Sequence, residues 1–130
     1  MLAVDIQPEM LRLMEARAAE AELKNIESVL ASPADPKLPA GQVDLVLLVD
    51  VYHELSYPEQ ILAAIHKSLK PEGVAALLEF REEDPAVPIK PLHKMSKAQI
   101  LKEWQPNGFQ LTREYDELPW QHMMFFGTAK

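Results

Sequence analysis

Val43-Asp44-Leu45-Val46-Leu47-Leu48-Val49 is the most apolar stretch of the sequence, and its reading decides the fold. The run barely alternates between apolar and polar positions. A continuous valine and leucine run of this length fits a strand buried on both faces, which is the mark of a parallel sheet. Downstream, Ile61, Leu62, Ile65 and Leu69 form one stripe, so the segment from Pro58 to Leu69 reads as an amphipathic helix. Lys70-Pro71-Glu72-Gly73 then reads as a turn, and Val74 to Phe80 as another buried strand. Upstream, Pro33, Pro36, Pro39 and Gly41 make Ala31 to Gln42 a loop. Before that loop, Ile26 to Leu30 reads as a short strand. Leu11, Met14, Ala18 and Ala21 share a face of a helix from Pro8 to about Lys24. Leu2-Ala3-Val4, ending in Asp5, reads as a strand that starts almost at residue 1.

The C-terminal third continues the alternation. Arg81 to Met95, with Pro85, Pro88 and Pro91, reads as a long loop. Ser96 followed by Gln99 forms a capping box, and Ile100, Leu101 and Trp104 share the face of the helix behind it. Asn107-Gly108 ends that helix. Phe109 to Tyr115 and His122 to Thr128 read as an antiparallel strand pair around Leu118-Pro119-Trp120. Strands and helices in the order β-α-β-β-α-β-α-β-β imply an α/β layered fold with a mostly parallel sheet and a C-terminal antiparallel strand pair. The 130 residues suit a single domain.

Composition narrows the function classes. Twenty acidic against 13 basic side chains give a formal charge of −7, which disfavours a nucleic-acid backbone or an anionic membrane surface as the main partner. No apolar run approaches a membrane span, and Met1 to Asp5 lacks the basic and apolar regions of a signal peptide, so a cytoplasmic location is expected. With no cysteine there is no disulfide framework and no thiolate metal site. The four histidines, His53, His66, His93 and His122, show no metal-ligand spacing, and no metal is expected.

Three segments together resemble one family, the class I S-adenosylmethionine-dependent methyltransferases. Ala3-Val4-Asp5-Ile6-Gln7-Pro8-Glu9-Met10-Leu11 resembles the family's second strand and following helix. Val43 to Val49, continued by Asp50-Val51-Tyr52-His53-Glu54-Leu55, is similar to its fourth strand and the loop after it. Leu69-Lys70-Pro71-Glu72-Gly73-Val74-Ala75-Ala76-Leu77-Leu78-Glu79-Phe80 resembles the fifth-strand segment, where the usual turn reads Lys-Pro-Gly-Gly. The spacing of the three is also the family's. The resemblance implies a Rossmann-like methyltransferase fold and S-adenosylmethionine as cofactor.

The resemblance also assigns expected roles. Asp5 matches the acidic residue that accepts hydrogen bonds from both ribose hydroxyls, and Ile6 would lie against the adenine ring. On local sequence alone, a cap for the helix that follows is the favoured reading of Asp5, and the other two motifs turn it toward the ribose. Asp35 is the nearest candidate for reading the adenine edge, or else a solvent-facing loop aspartate. Asp50 matches the position that faces the methionine part of the cofactor and the incoming nucleophile. His53 is a candidate general base, or a polar loop histidine without that duty. Tyr52 and Glu54 would line the substrate mouth. Lys90, His93 and Lys94 form a small basic cluster that would cover the substrate or simply be solvated.

One departure from the family bears on activity. The glycine-rich loop that follows the family's first strand has no counterpart here, because Gly41, Gly73, Gly108 and Gly127 are too far apart to form it. The sequence therefore reads as a partial methyltransferase-like domain over residues 1–130, incomplete at the N-terminus and impaired or inactive alone. The alternatives are a non-catalytic self-associating remnant or interaction module, or one half of a split methyltransferase. A Val43 to Val49 strand without its usual neighbour would present an open edge. Either the Leu2 to Asp5 strand closes it, or a homodimer or a complementing chain does.

Overall fold

The computed structural model describes residues 1–129. Strand β1 (Leu2–Asp5), helix α1 (Pro8–Glu20) and strand β2 (Glu27–Leu30) form a βα-β unit in which β1 and β2 pair parallel. Strand β3 (Val43–Val49), helix α2 (Pro58–Ser68), strand β4 (Leu69–Arg81), the two-residue strand β5 (Lys94–Met95), helix α3 (Lys97–Trp104) and strands β6 (Phe109–Tyr115) and β7 (Gln121–Thr128) form the larger body. Its sheet runs β3-β4-β7-β6, with β5 paired to the end of β4. β3 and β5 lie parallel to β4, while β7 lies antiparallel to both β4 and β6. The expected α/β order and C-terminal antiparallel pair are both present.

The core lies on one face of this sheet. Ala75 and Leu77 of β4 are directly opposite Phe126 and Met124 of β7, so all four point the same way. Ile61, Leu62 and Ile65 of α2 and Ile100 and Trp104 of α3 close over them. Trp104 is fully buried and stacks on Phe126 with ring centroids 4.5 Å apart. An aromatic cluster of this kind removes a large apolar area from water and is a main stabilising term for a small domain.

The opposite face corrects one expectation. β3 is not buried on both faces: Leu45, Leu47 and Val49 are 56%, 58% and 49% exposed, while Leu48 is buried. Among the described residues β3 pairs only with β4, and no helix covers the face to which Leu45, Leu47 and Val49 point. Nor does the Leu2–Asp5 strand close that edge, since it pairs with β2 alone. β1, α1 and β2 contribute no member to the main core.

Local chemistry explains the smaller differences. α1 stops at Glu20 rather than Lys24, with Glu22 in the left-handed region at φ 57°. The Lys70–Gly73 turn is a bulge inside β4: Val43 faces Leu69, and two residues later Leu45 faces Val74. A Cβ on Gly73 would stand 2.9 Å from the Val43 carbonyl oxygen and 3.0 Å from that of Lys70, so the bulge requires glycine. The expected loop from Arg81 to Met95 contains a short 3₁₀ turn, Pro91–His93, and then β5. Half of the capping box forms. Ser96 Oγ accepts the Gln99 N–H at 3.1 Å, but the Gln99 side chain donates to Glu103 instead of reaching back.

Candidate functional site

The C-terminal ends of β1, β3 and β4 carry most of the residues singled out from sequence. At the end of β1, half-buried Asp5 accepts the Gln7 N–H through Oδ1 at 2.8 Å. That bond fastens the entry to α1, whose own N-cap, Gln7, makes no side-chain cap. Ile6 beside it is 53% exposed. Asp35 is exposed and closes its own turn, accepting the Lys37 N–H at 2.8 Å while its backbone pairs with Ser32.

Asp50 follows β3 and combines a left-handed backbone with a buried, unpartnered carboxylate oxygen. Its backbone is left-handed, at φ 52°, where a side chain with a Cβ is strained. Its N–H is held by the Leu78 carbonyl at 2.9 Å, and Oδ2 accepts from Gln121 Nε2 at 2.7 Å. Oδ1 is buried with no hydrogen-bond partner. A buried carboxylate oxygen without a donor is costly, and strain together with an orphaned acceptor is the pattern of a ligand-seeking residue.

The next turn of chain, a 3₁₀ helix over Tyr52–Glu54, aims its residues in different directions. Tyr52 is buried against Trp104, and its hydroxyl donates to Glu103 Oε1 at 3.0 Å. Burial raises the Tyr52 hydroxyl pKa, and the Glu103 carboxylate raises it further, so the group stays neutral. His53 is locked from behind. Its N–H donates to Glu79 Oε1 at 3.1 Å, and its Nδ1 lies 2.8 Å from Glu79 Oε2. Glu79 is fully buried near the end of β4. Burial raises its pKa, while the two His53 bonds pull the other way. An ionised Glu79 fixes the His53 proton on Nδ1 and leaves a lone pair on Nε2.

That Nε2 faces two further residues. His93, exposed in the Pro91–His93 turn, brings Nδ1 to 3.2 Å, and Glu54 Oε1 lies at 3.6 Å. Lys90 is exposed at the start of the same turn, while Lys94 Nζ donates to the Asp84 carbonyl at 3.2 Å. Beside this cluster is a cleft of about 230 Å³, lined in part by Tyr52, His53, Glu82, Lys94 and Gln99.

Sequence reading did not single out Glu79, Gln121 or the second histidine–carboxylate pair, His122 Nε2 with Glu83 Oε1 at 2.8 Å. A signal existed for the first: Glu79 interrupts an otherwise apolar strand, and a buried acid needs a partner. Nothing in the sequence ties Gln121 to Asp50, 71 positions away.

Comparison with known proteins bears on the family and the fold. A family model described as a methyltransferase domain matches residues 1–77. A SAM-dependent methyltransferase from Aquifex aeolicus has a similar structure, with a TM-score of 0.90 at 21% identity, covering 98% of this chain and 68% of that one. A TehB-like SAM-dependent methyltransferase from Corynebacterium glutamicum superimposes with a TM-score of 0.72 at 15% identity, over 98% and 67% of the two chains. The trans-methyltransferase CalH, solved in complex with SAH, gives 0.77 at 18% identity, over 98% and 42%. At such identities these likenesses concern the fold. No curated protein sequence matches. With the family model matching residues 1–77, more than half of its length, this chain belongs to the methyltransferase-domain family, and it shares the fold of these SAM-dependent methyltransferases throughout.

Proposed function

We propose that the chain carries a methyl-transfer site at the ends of β1, β3 and β4, with the acceptor placed beside His53. Asp50 is the observation that supports this reading best. A strained backbone, a fixed Oδ2 and an unpartnered Oδ1 are what a residue awaiting a hydrogen-bond donor presents. S-adenosylmethionine, when bound, supplies an electrophilic methyl group on a sulfonium. Asp5 and Ile6 would hold its ribose and adenine, Asp35 the adenine edge, and Asp50 its methionyl end. The fit is partial. Asp5 keeps a second carboxylate oxygen for a hydroxyl, and Asp50 has a vacant acceptor, but the sequence holds no glycine-rich loop to bring backbone N–H groups to the methionyl carboxylate.

On the acceptor side, His53 takes the leaving proton at Nε2. Glu79 keeps the ring in the required tautomer and stabilises the imidazolium that results. Tyr52, Glu54, Lys90 and His93 would flank the acceptor. Positioning supplies much of the rate in such a transfer, so a half-enclosed site loses both affinity and rate. The 130 residues alone are therefore an impaired enzyme on this reading.

The open β3 edge and the exposed Leu45, Leu47 and Val49 favour a second element of the proposal, that a further copy of the chain covers them. A non-catalytic self-associating module and one half of a split enzyme are the rivals that the same surface supports. Calorimetric titration with S-adenosylhomocysteine tests the cofactor site itself. We expect weak, millimolar-range binding that is lost in Asp50→Ala and Asp5→Ala. Micromolar affinity would contradict the impairment. No binding at millimolar ligand, or binding indifferent to Asp50, would overturn the cofactor site.

A further inference from the structure

We infer that His53, Glu54 and His93 form a binding site for a divalent transition-metal ion. The three residues offer His53 Nε2, a Glu54 carboxylate oxygen and a His93 ring nitrogen, all within 4.8 Å of one another. The closest pair, His53 Nε2 and His93 Nδ1, is 3.2 Å apart. Two nitrogens each about 2.0–2.1 Å from a tetrahedral ion stand about 3.3 Å apart, so the two rings already subtend one edge of such a site. Glu54 Oε1, at 3.6 Å from the same Nε2, is on a side chain 60% exposed and free to close the remaining distance.

The surroundings match a built metal site. His53 Nδ1 is 2.8 Å from Glu79 Oε2, and that carboxylate is fully buried. A histidine ligand whose far nitrogen donates to a carboxylate is held in one tautomer and made a better donor to metal. The His53 ring is itself almost fully buried, and the His53 main-chain N–H fastens the other oxygen of the same Glu79, so the carboxylate that orients the ring is held on both sides. His93 comes from a different segment, 40 residues on, in a turn that Pro91 opens. Two imidazoles and one carboxylate, with no thiolate, favour a borderline ion such as Zn²⁺ or Co²⁺ over Mg²⁺ or Ca²⁺. Three protein ligands leave a tetrahedral ion one open position.

The site is independent of the methyl-transfer reading in one respect and exclusive of it in another. Ion binding requires neither Asp5 nor Asp50. The lone pair on His53 Nε2 serves one partner at a time, so an occupied site removes His53 from proton transfer. The rival account of the 3.2 Å contact is an ordinary hydrogen bond from His93 to His53.

The test is titration of the chelator-stripped full chain with ZnCl₂ by calorimetry, and with CoCl₂ by visible absorption. We expect one ion per chain, a micromolar Zn²⁺ dissociation constant, and the intensified visible bands of tetrahedral Co²⁺. His93→Ala, on an exposed turn, should retain the fold by circular dichroism and weaken binding at least about tenfold. Glu79→Gln should weaken it about 10- to 100-fold. His66→Asn and Asp50→Ala should leave it unchanged, which separates failure of this site from failure of the cofactor site. No Zn²⁺ binding at millimolar concentration, or an affinity unchanged in His93→Ala, would overturn the proposal.

Discussion

Asp50 and Glu83 are acids whose environments predict opposite experiments. At Asp50 the left-handed backbone is a local strain, below the ~1–2 kcal/mol that most residues with a Cβ would bear there because aspartate tolerates that region better. Asp50→Gly should therefore leave stability to urea nearly unchanged, relief of strain offsetting the lost Gln121 bond, while ligand binding disappears. A large loss of stability would mean that Asp50 is structural. At Glu83 burial opposes the charge, but hydrogen bonds from the Lys97 N–H and from His122 prevail and hold its carboxyl below the usual carboxylate range. A depressed acid contributes stability that is present above the ordinary carboxylate pKa and is lost as pH falls through the depressed value. In Glu83→Gln, that part of the acid limb of a stability–pH profile should flatten. An unchanged limb would contradict the assignment. The bond from Asp5 to the Gln7 N–H was legible in the sequence, because an acid before a proline-started helix reads as a cap, whereas a role for Asp5 toward a cofactor came only from the family resemblance. Gln121 was not, since no local pattern reports a contact across the sheet.

At the scale of elements, the strongest periodicities were the most informative. The Ile61, Leu62 and Ile65 stripe packs as its spacing implied, and Ser96 caps α3. Ser96→Ala should cost about 1 kcal/mol, read as a lowered unfolding midpoint at constant denaturant slope. Gly73→Ala should cost more, about 1–3 kcal/mol, because the new methyl meets two carbonyl oxygens of fixed backbone. β3 misled the reading for a physical reason. A run of apolar residues records what a strand prefers to bury, and it cannot tell which neighbours are there to bury it. Leu45, Leu47 and Val49 have the composition of an interior strand and the exposure of a surface one. The short β5 and the 3₁₀ turns were invisible because two or three residues carry no periodicity.

For the whole molecule, the division into a small βαβ unit and a larger body with the only sizeable core among the described residues sets the behaviour in solution. Exposed apolar side chains on β3 should drive association, visible by sedimentation velocity as a dimer. Leu47→Lys should shift the population toward monomer without loss of secondary structure. A wild-type chain that stays monomeric and well folded would count against that surface as an interface. The central claim is that Asp5 of the small unit and Asp50 of the larger body address one ligand. Amide chemical-shift mapping during titration with S-adenosylhomocysteine tests it most directly. The account predicts concerted shifts at Asp5, Ile6, Asp50 and Val51 that share one dissociation constant. Shifts confined to one unit, or none at saturating ligand, would contradict it.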